Sequence, residues 1–83
     1  MNRQYETIRV KFPKSIESIN AEIFKGKENL WGVASLKEWI DTYESTRFTP
    51  ISDTEAIITS EYNMMFAKGW LVDNSLIATI EIL

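Results

Sequence analysis

The chain has 83 residues, 45% of them hydrophobic and 25% charged, and it contains neither cysteine nor histidine. A chain of this length can build one hydrophobic core, so we expect a single compact domain over residues 1–83. Without cysteine and histidine it cannot form disulfides, the usual zinc and iron–sulfur sites, or a Ser-His-Asp triad.

The charge of the chain is unevenly distributed. Residues 1–27 hold six basic and three acidic side chains, a net charge of +3, whereas residues 28–83 hold three basic and nine acidic ones, a net charge of −6. No apolar run approaches the roughly 20 residues of a membrane span, and the N-terminal residues lack the pattern of a signal peptide. We therefore expect a cytoplasmic protein that does not bind a membrane.

The first predicted element is a strand. From Tyr5 to Phe12 apolar residues alternate with polar ones, which places Ile8, Val10 and Phe12 on one face. This period of two is typical of a half-buried strand, and Pro13 ends it.

A helix is predicted next, between Ser15 and Lys25. Its apolar residues have helical spacing, Ser15 is a candidate N-cap, and Gly26 lies just past the end.

The second predicted helix begins with a capping box. The Ser35 hydroxyl can accept from the Glu38 N–H while the Glu38 carboxylate reaches back to the Ser35 N–H. An apolar stripe at helical spacing follows, so we expect the helix to run to about Tyr43 or Ser45.

Residues 52–69 fit two different structures. Ser52 and Glu55 have capping-box spacing, and a helical stripe then follows, made of Ile58, Tyr62, Met65 and Phe66. Residues 55–66 also fit strands, which would make the C-terminal half an antiparallel meander. The cap, the length and the good helix formers of this segment favour the helix.

The C-terminal residues predict a β-hairpin, with residues 70–72 as its first strand, a turn at Asp73 and Asn74, and residues 75–83 as its second strand. The expected fold is α+β: a small mixed or antiparallel sheet, formed by the N-terminal strand and the C-terminal hairpin, with two to three helices packed on one face.

The chain shows little equipment for catalysis, and we expect no enzyme activity, no cofactor and no metal. Gly26-Lys27 has no upstream glycine, and Glu28 stands where a phosphate-binding loop needs Ser or Thr. Glu38, Asp41 and Glu44 lie along one helix flank, a spacing that is ordinary for solvated helix surfaces.

The acidic half of the chain suggests protein binding. Between residues 28 and 61 the chain has seven acidic and two basic residues. Six of these acids are the candidate partner-binding residues: Glu38, Asp41, Glu44, Asp53, Glu55 and Glu61. If these acids share a face, they would steer the domain to a basic surface of a partner. Trp31, beside Gly32, is the candidate aromatic anchor, and burial of Trp31 in the core is the alternative.

Nucleic-acid binding is the alternative function. Three helices followed by a hairpin, with Phe66 to Val72 leading into it, loosely resemble the recognition helix and wing of winged helix-turn-helix domains. That resemblance implies a nucleic-acid-binding regulator. However, the expected recognition helix, Asp53 to Lys68, carries three acids and one lysine, the wrong balance for contacts with phosphates.

Self-association is suggested by the C-terminal strand, whose faces are both largely apolar. Ile80 and Ile82 lie on one face and Ile77 on the other. A strand of this kind is usually covered on both sides, and in a small chain a second copy can supply one cover.

From these observations we expect a non-catalytic protein-binding domain. A small inhibitor, immunity or adaptor protein that occludes a larger, basic, nucleic-acid-handling partner fits the description, and phage anti-defence proteins are one such class.

Overall fold

The computed structural model of the chain describes residues 5–83. Its strands are β1 (Glu6–Lys11), β2 (Thr46–Ser52), β3 (Glu55–Ser60) and β4 (Thr79–Ile82). Its helices are α1 (Ile16–Ile19), which continues as a π-helical turn (Asn20–Phe24), α2 (Glu28–Trp31), α3 (Leu36–Asp41) and α4 (Met64–Asp73).

The four strands form one open antiparallel sheet in the order β2-β3-β1-β4. The segment holding α1 to α3 connects β1 to β2, with β3 lying between these two strands. Helix α4 connects β3 to β4, with β1 between them. These two interleaved split βαβ units confirm the α+β class that the sequence predicts.

All the helices pack on one face of the sheet, as expected. That face carries Ile8 and Val10 of β1, Ala56 and Ile58 of β3, and Phe48 of β2, all buried. The helices cover it with buried side chains: Ile19, Phe24, Leu36, Ile40, Met64, Ala67 and Leu71. The opposite face has no helix over it among residues 5–83, and we call it the open sheet face.

Helix α1 begins as predicted, because the Ser15 hydroxyl accepts a hydrogen bond from the Ser18 N–H at 3.0 Å. The segment ends at Gly26, whose φ of 76° lies in the left-handed region that glycine adopts without steric cost. Between them the helix widens into the π-helical turn.

Helix α3 begins at the predicted cap but with one different bond. The Glu38 N–H donates to Ser35 Oγ at 3.1 Å, whereas the Glu38 carboxylate accepts from the Ala34 N–H at 2.7 Å and not from that of Ser35. The prediction that this helix reaches Tyr43 or Ser45 is wrong. It ends at Asp41, whose carboxylate accepts from the Phe48 N–H at 2.8 Å and so fixes the entry to β2.

The helix predicted for residues 52–69 is wrong over residues 52–63, and the alternative strand is correct for residues 55–60. Residues 64–69 are helical as predicted and belong to α4. The Ser52 hydroxyl accepts from the Thr54 N–H at 3.3 Å within a hairpin turn and does not cap a helix. In β3, Ala56, Ile58 and Ser60 point into the core, and β3 pairs with strands on both sides. This period of two and the long-range pairing outweigh the helical spacing.

The predicted C-terminal hairpin is also wrong. Residues 70–72 belong to α4, and the only hairpin among residues 5–83 joins β2 to β3, while β4 pairs with β1. Helix α4 ends in a Schellman motif: Ser75 has φ 56°, its N–H donates to the Val72 carbonyl, and the Leu76 N–H donates to the Leu71 carbonyl. This helix end occupies the place of the predicted strand.

Candidate protein-binding surface

Trp31, the candidate anchor, is half-buried in an aromatic cluster. Its ring lies 5.7 Å from Phe24, 5.3 Å from Trp39 and 5.9 Å from Trp70, measured between ring centroids. The three tryptophans of the chain therefore join α2, α3 and α4. Separations of this size suit edge-to-face aromatic packing, so the main role of Trp31 visible in the fold is to hold these helices together.

The six candidate acids do not share one face. Asp53 and Glu55 lie at the turn of the β2–β3 hairpin, and Glu44 and Glu61 lie at its other end, about 20 Å away at ~3.3 Å per strand residue. Glu38 caps α3.

Two of these acids make polar contacts within the chain. Glu55 forms an ion pair with Arg9 at 2.9 Å on the open sheet face. Asp41 accepts from both the Phe48 N–H and the Lys37 ammonium, the latter at 2.6 Å. These bonds account for both side chains without a partner protein.

The outer face of α4 presents an exposed apolar surface. It consists of Tyr62, two residues before the helix, followed by Met65, Phe66, Gly69 and Val72. Met65 is 78% exposed and Phe66 is 64% exposed. These positions follow helical spacing, so their side chains lie side by side along the solvent side of the helix.

The inner side of α4 explains why the outer side is free. Met64, Ala67 and Leu71 fill the core, and Trp70 joins the aromatic cluster. Since the sheet lies on one side of the helix only, apolar residues on the other side remain in water. Gly69, in the middle of the outer face, has open space where a Cβ would point, which leaves a shallow depression between its larger neighbours.

The start of α4 is fixed by polar contacts to the end of the β2–β3 hairpin. The fully buried Ser60 hydroxyl accepts from the Asn63 N–H at 2.9 Å and bonds Thr46 Oγ1 at 2.8 Å. The Asn63 side chain donates to the Glu44 carbonyl at 2.8 Å. These bonds set the direction in which the outer face points.

Acidic residues border the outer face of α4. Tyr62 donates a hydrogen bond to the Glu61 carboxylate, and this bond, with smaller contributions from desolvation and the charges of Glu61 and Glu44, raises the pKa of the Tyr62 phenol. Asp73 is exposed at the opposite end of the helix. Lys68, half-buried, is the only basic residue of α4. The surface is therefore apolar in its middle and negative at both ends.

A recess lies where the open sheet face meets the end of α3. It has a volume of about 540 Å³, and its walls include Tyr5, Tyr43, Glu44, Arg47 and Thr59. The recess is shallow and its charges are mixed. Within residues 5–83, no group of three or more acidic side chains is placed to hold a metal ion.

The residues proposed for self-association lie in two environments. Ile77 is half-buried against the core. Ile80 and Ile82 lie on β4, an edge strand, and are 39% and 80% exposed. They face the helix side of the sheet, because they are paired with Val10 and Ile8.

The winged-helix resemblance depends on a helix over residues 53–68 and a C-terminal hairpin, and the fold contains neither. The sequence predicts that Tyr62, Met65 and Phe66 belong to one helical stripe, but the spacing does not show whether that stripe faces the core or the solvent. The composition of residues 64–72 is the signal for an exposed apolar side, because it would make a helix apolar on nearly all sides.

No helix within residues 5–83 is long and apolar enough to cross a membrane. The chain belongs to the family described as "Domain of unknown function (DUF6956)", whose model matches residues 1–82. No curated protein matches the chain. No solved structure matches it either.

Proposed function

We propose that this chain is a non-catalytic protein-binding domain whose binding surface is the outer face of α4. The observation that carries the proposal is the exposure of Met65 and Phe66, at 78% and 64%, next to Tyr62 and Val72 on one helix face. Contiguous exposed apolar surface on a small domain is typical of interaction sites. Methionine and aromatic residues are also the types enriched in the cores of interfaces.

The charges around this face indicate the chemistry of the partner. Glu44 and Glu61 lie at one end and Asp73 at the other. An apolar surface bordered by Lys or Arg would complement this arrangement, because opposite charges at the rim speed association while the apolar centre sets the lifetime of the complex. A domain of this size that covers such a surface acts by occlusion, as small inhibitor and immunity proteins do.

The test compares the wild-type chain with three variants as baits for affinity capture from the native host. Met65→Ser with Phe66→Ser removes the apolar centre. Gly69→Arg places a long charged side chain in open space, so it blocks the face without creating a clash in the fold. Ile51→Ser is the matched control, since Ile51 is also an exposed apolar residue but lies on β2.

The captured protein is then purified, and its dissociation constant is measured for the wild type and for each variant. We expect both α4 variants to weaken binding at least about tenfold, the effect of removing an anchor residue from an interface. The Ile51 variant should bind as the wild type does. Loss of binding in the Ile51 variant alone would move the site to the β2 edge of the sheet and contradict the proposal.

A further inference from the structure

The two edges of the sheet differ in how well they are protected against pairing. On β2, Pro50 has no N–H to donate, and the register shifts between Pro50 and Ser52. Both features block the addition of a further strand. Strand β4, with the sequence Thr-Ile-Glu-Ile, has no proline, no lysine and no bulge, and all four of its residues are exposed.

The outward main-chain groups of β4 can be assigned from its pairing with β1. The Leu83 N–H donates to the Thr7 carbonyl at 3.0 Å. Hydrogen-bonded residues alternate along an antiparallel ladder, so Glu81 also bonds toward β1. The N–H and C=O groups of Ile80 and Ile82 therefore point away from the sheet, where another strand could bond them.

We propose that β4 pairs with β4 of a second copy of the chain, antiparallel and about a two-fold axis at Ile80. In this register Ile80 exchanges two main-chain hydrogen bonds with Ile80 of the second copy, and Ile82 lies opposite Ala78. On the other face of the strand, Glu81 lies opposite Thr79. Apolar residues then meet apolar ones, polar residues meet polar ones, and no like charges are opposed.

The charges favour the register with its two-fold axis at Ile80 over the neighbouring register with its axis at Glu81. Lys11 is paired with Thr79 within the chain, so it would lie two strand spacings, about 10 Å, from Glu81 of the second copy. Both side chains are long enough to close that gap over the smaller threonine. Among residues 5–83, neither Lys11 nor Glu81 makes an ion pair within the chain. An axis at Glu81 would instead place two glutamates directly opposite each other.

The expected dimer is weak. A four-residue edge strand buries little area, below the roughly 1,000 Å² of stable specific interfaces. This interface is separate from the outer face of α4, so the inference does not depend on the proposed function. A dimer would present two α4 faces at once, which can raise the apparent affinity for a partner with repeated sites.

The first test is sedimentation of the full chain from low micromolar to millimolar concentration. We expect a reversible monomer–dimer equilibrium that Ile82→Pro abolishes, because proline removes an outward N–H without touching the bonds to β1. Ile51→Ser on the already blocked β2 edge is the control and should leave the dimer intact. A wild-type chain that stays monomeric at every concentration overturns the proposal.

The second test fixes the register. The chain has no cysteine, so a single Ile80→Cys chain should cross-link under mild oxidation, since residues on the axis lie about 5.5 Å apart and disulfides span that distance. Glu81→Cys should not cross-link. The reverse pattern, or no cross-link from either variant, contradicts an axis at Ile80.

The third test uses charge reversal in two separate chains. Lys11→Glu alone and Glu81→Lys alone should each weaken the dimer, because like charges then meet across the axis. A mixture of the two variants should form heterodimers at wild-type concentrations, since both cross-subunit pairs become opposite in sign. Charge pairing within one chain cannot produce this rescue, so its absence refutes the pairing of Lys11 with Glu81.

Discussion

The exposure of Phe66 leads to a sharp prediction for folding stability. The fold leaves this side chain 64% exposed, so only about a third of its surface is removed from water. Full burial of a phenylalanine contributes about 1.5–3 kcal/mol to folding, so about a third of that, or ~0.5–1 kcal/mol, is expected here. Serine and phenylalanine have similar helix propensities, so Phe66→Ser reports on burial.

Leu71→Ala is the comparison variant within the same helix. Leu71 is fully buried, and its truncation should lower the free energy of unfolding by about 2–5 kcal/mol. Urea unfolding followed by the fluorescence of the three tryptophans measures both variants. If Phe66→Ser destabilises the fold as much as Leu71→Ala, the outer face of α4 is buried and our reasoning about the binding surface fails.

Four further predictions concern contacts that shape the fold around α4 and α3. Ser35→Ala should lower the free energy of unfolding by about 0.5–2 kcal/mol through the lost N-cap, and an unchanged urea midpoint would argue against the cap. Ser60→Ala should cost about 1–3 kcal/mol, because the half-buried Asn63 N–H loses its acceptor; Ser52→Ala, in the exposed turn, is the control. Ser75→Gly should raise stability by about 1 kcal/mol, since Ser75 holds a left-handed conformation that glycine adopts freely, and a lower melting temperature would contradict the Schellman end. The Tyr62 phenol should ionise above its ordinary pKa in a spectrophotometric titration compared with Tyr62→Phe; Glu61→Gln should lower that pKa, and no change would refute the role of the Glu61 carboxylate.

The features that the sequence predicts correctly have local causes. β1 shows a clean period of two that ends at a proline, and Ser15 and Ser35 supply side-chain acceptors at helix starts. Such signals need only a few neighbouring residues, so they survive in any tertiary context. The α+β class follows from the presence of both kinds of element.

The features that sequence reasoning misses depend on distant residues. Residues 55–60 carry both periodicities, and pairing with β1 and β2 decides between them. The end of α4 is hidden because its left-handed residue is Ser75 and not a glycine, while Gly69, which reads as an end, lies inside the helix. Because of these two boundaries, the sequence predicts a helix and a hairpin where the fold has the strand β3 and the helix α4.

The candidate site was predictable only in part, for the same reason. Counting acids along the chain gives their excess but not their separation, which the 20 Å length of the β2–β3 hairpin imposes on Asp53 and Glu61, at ~3.3 Å per residue. Of the candidate acids, Glu44 and Glu61 lie next to the apolar face of α4. Periodicity likewise finds the stripe of Met65 and Phe66 but cannot say which side of the helix meets the sheet.

Helix α4 is apolar on two sides, and folding accounts for only one of them. Its inner residues, such as Leu71, are fully buried, and the polar contacts of Ser60 and Asn63 fix its start. The outer residues add little to that stability because water still surrounds most of their surface. A polar residue at Phe66 would cost the fold only about 0.5–1 kcal/mol and would keep the domain more soluble. The exposure of Met65 and Phe66 on this side is the reason we propose that the outer face of α4 contacts another molecule.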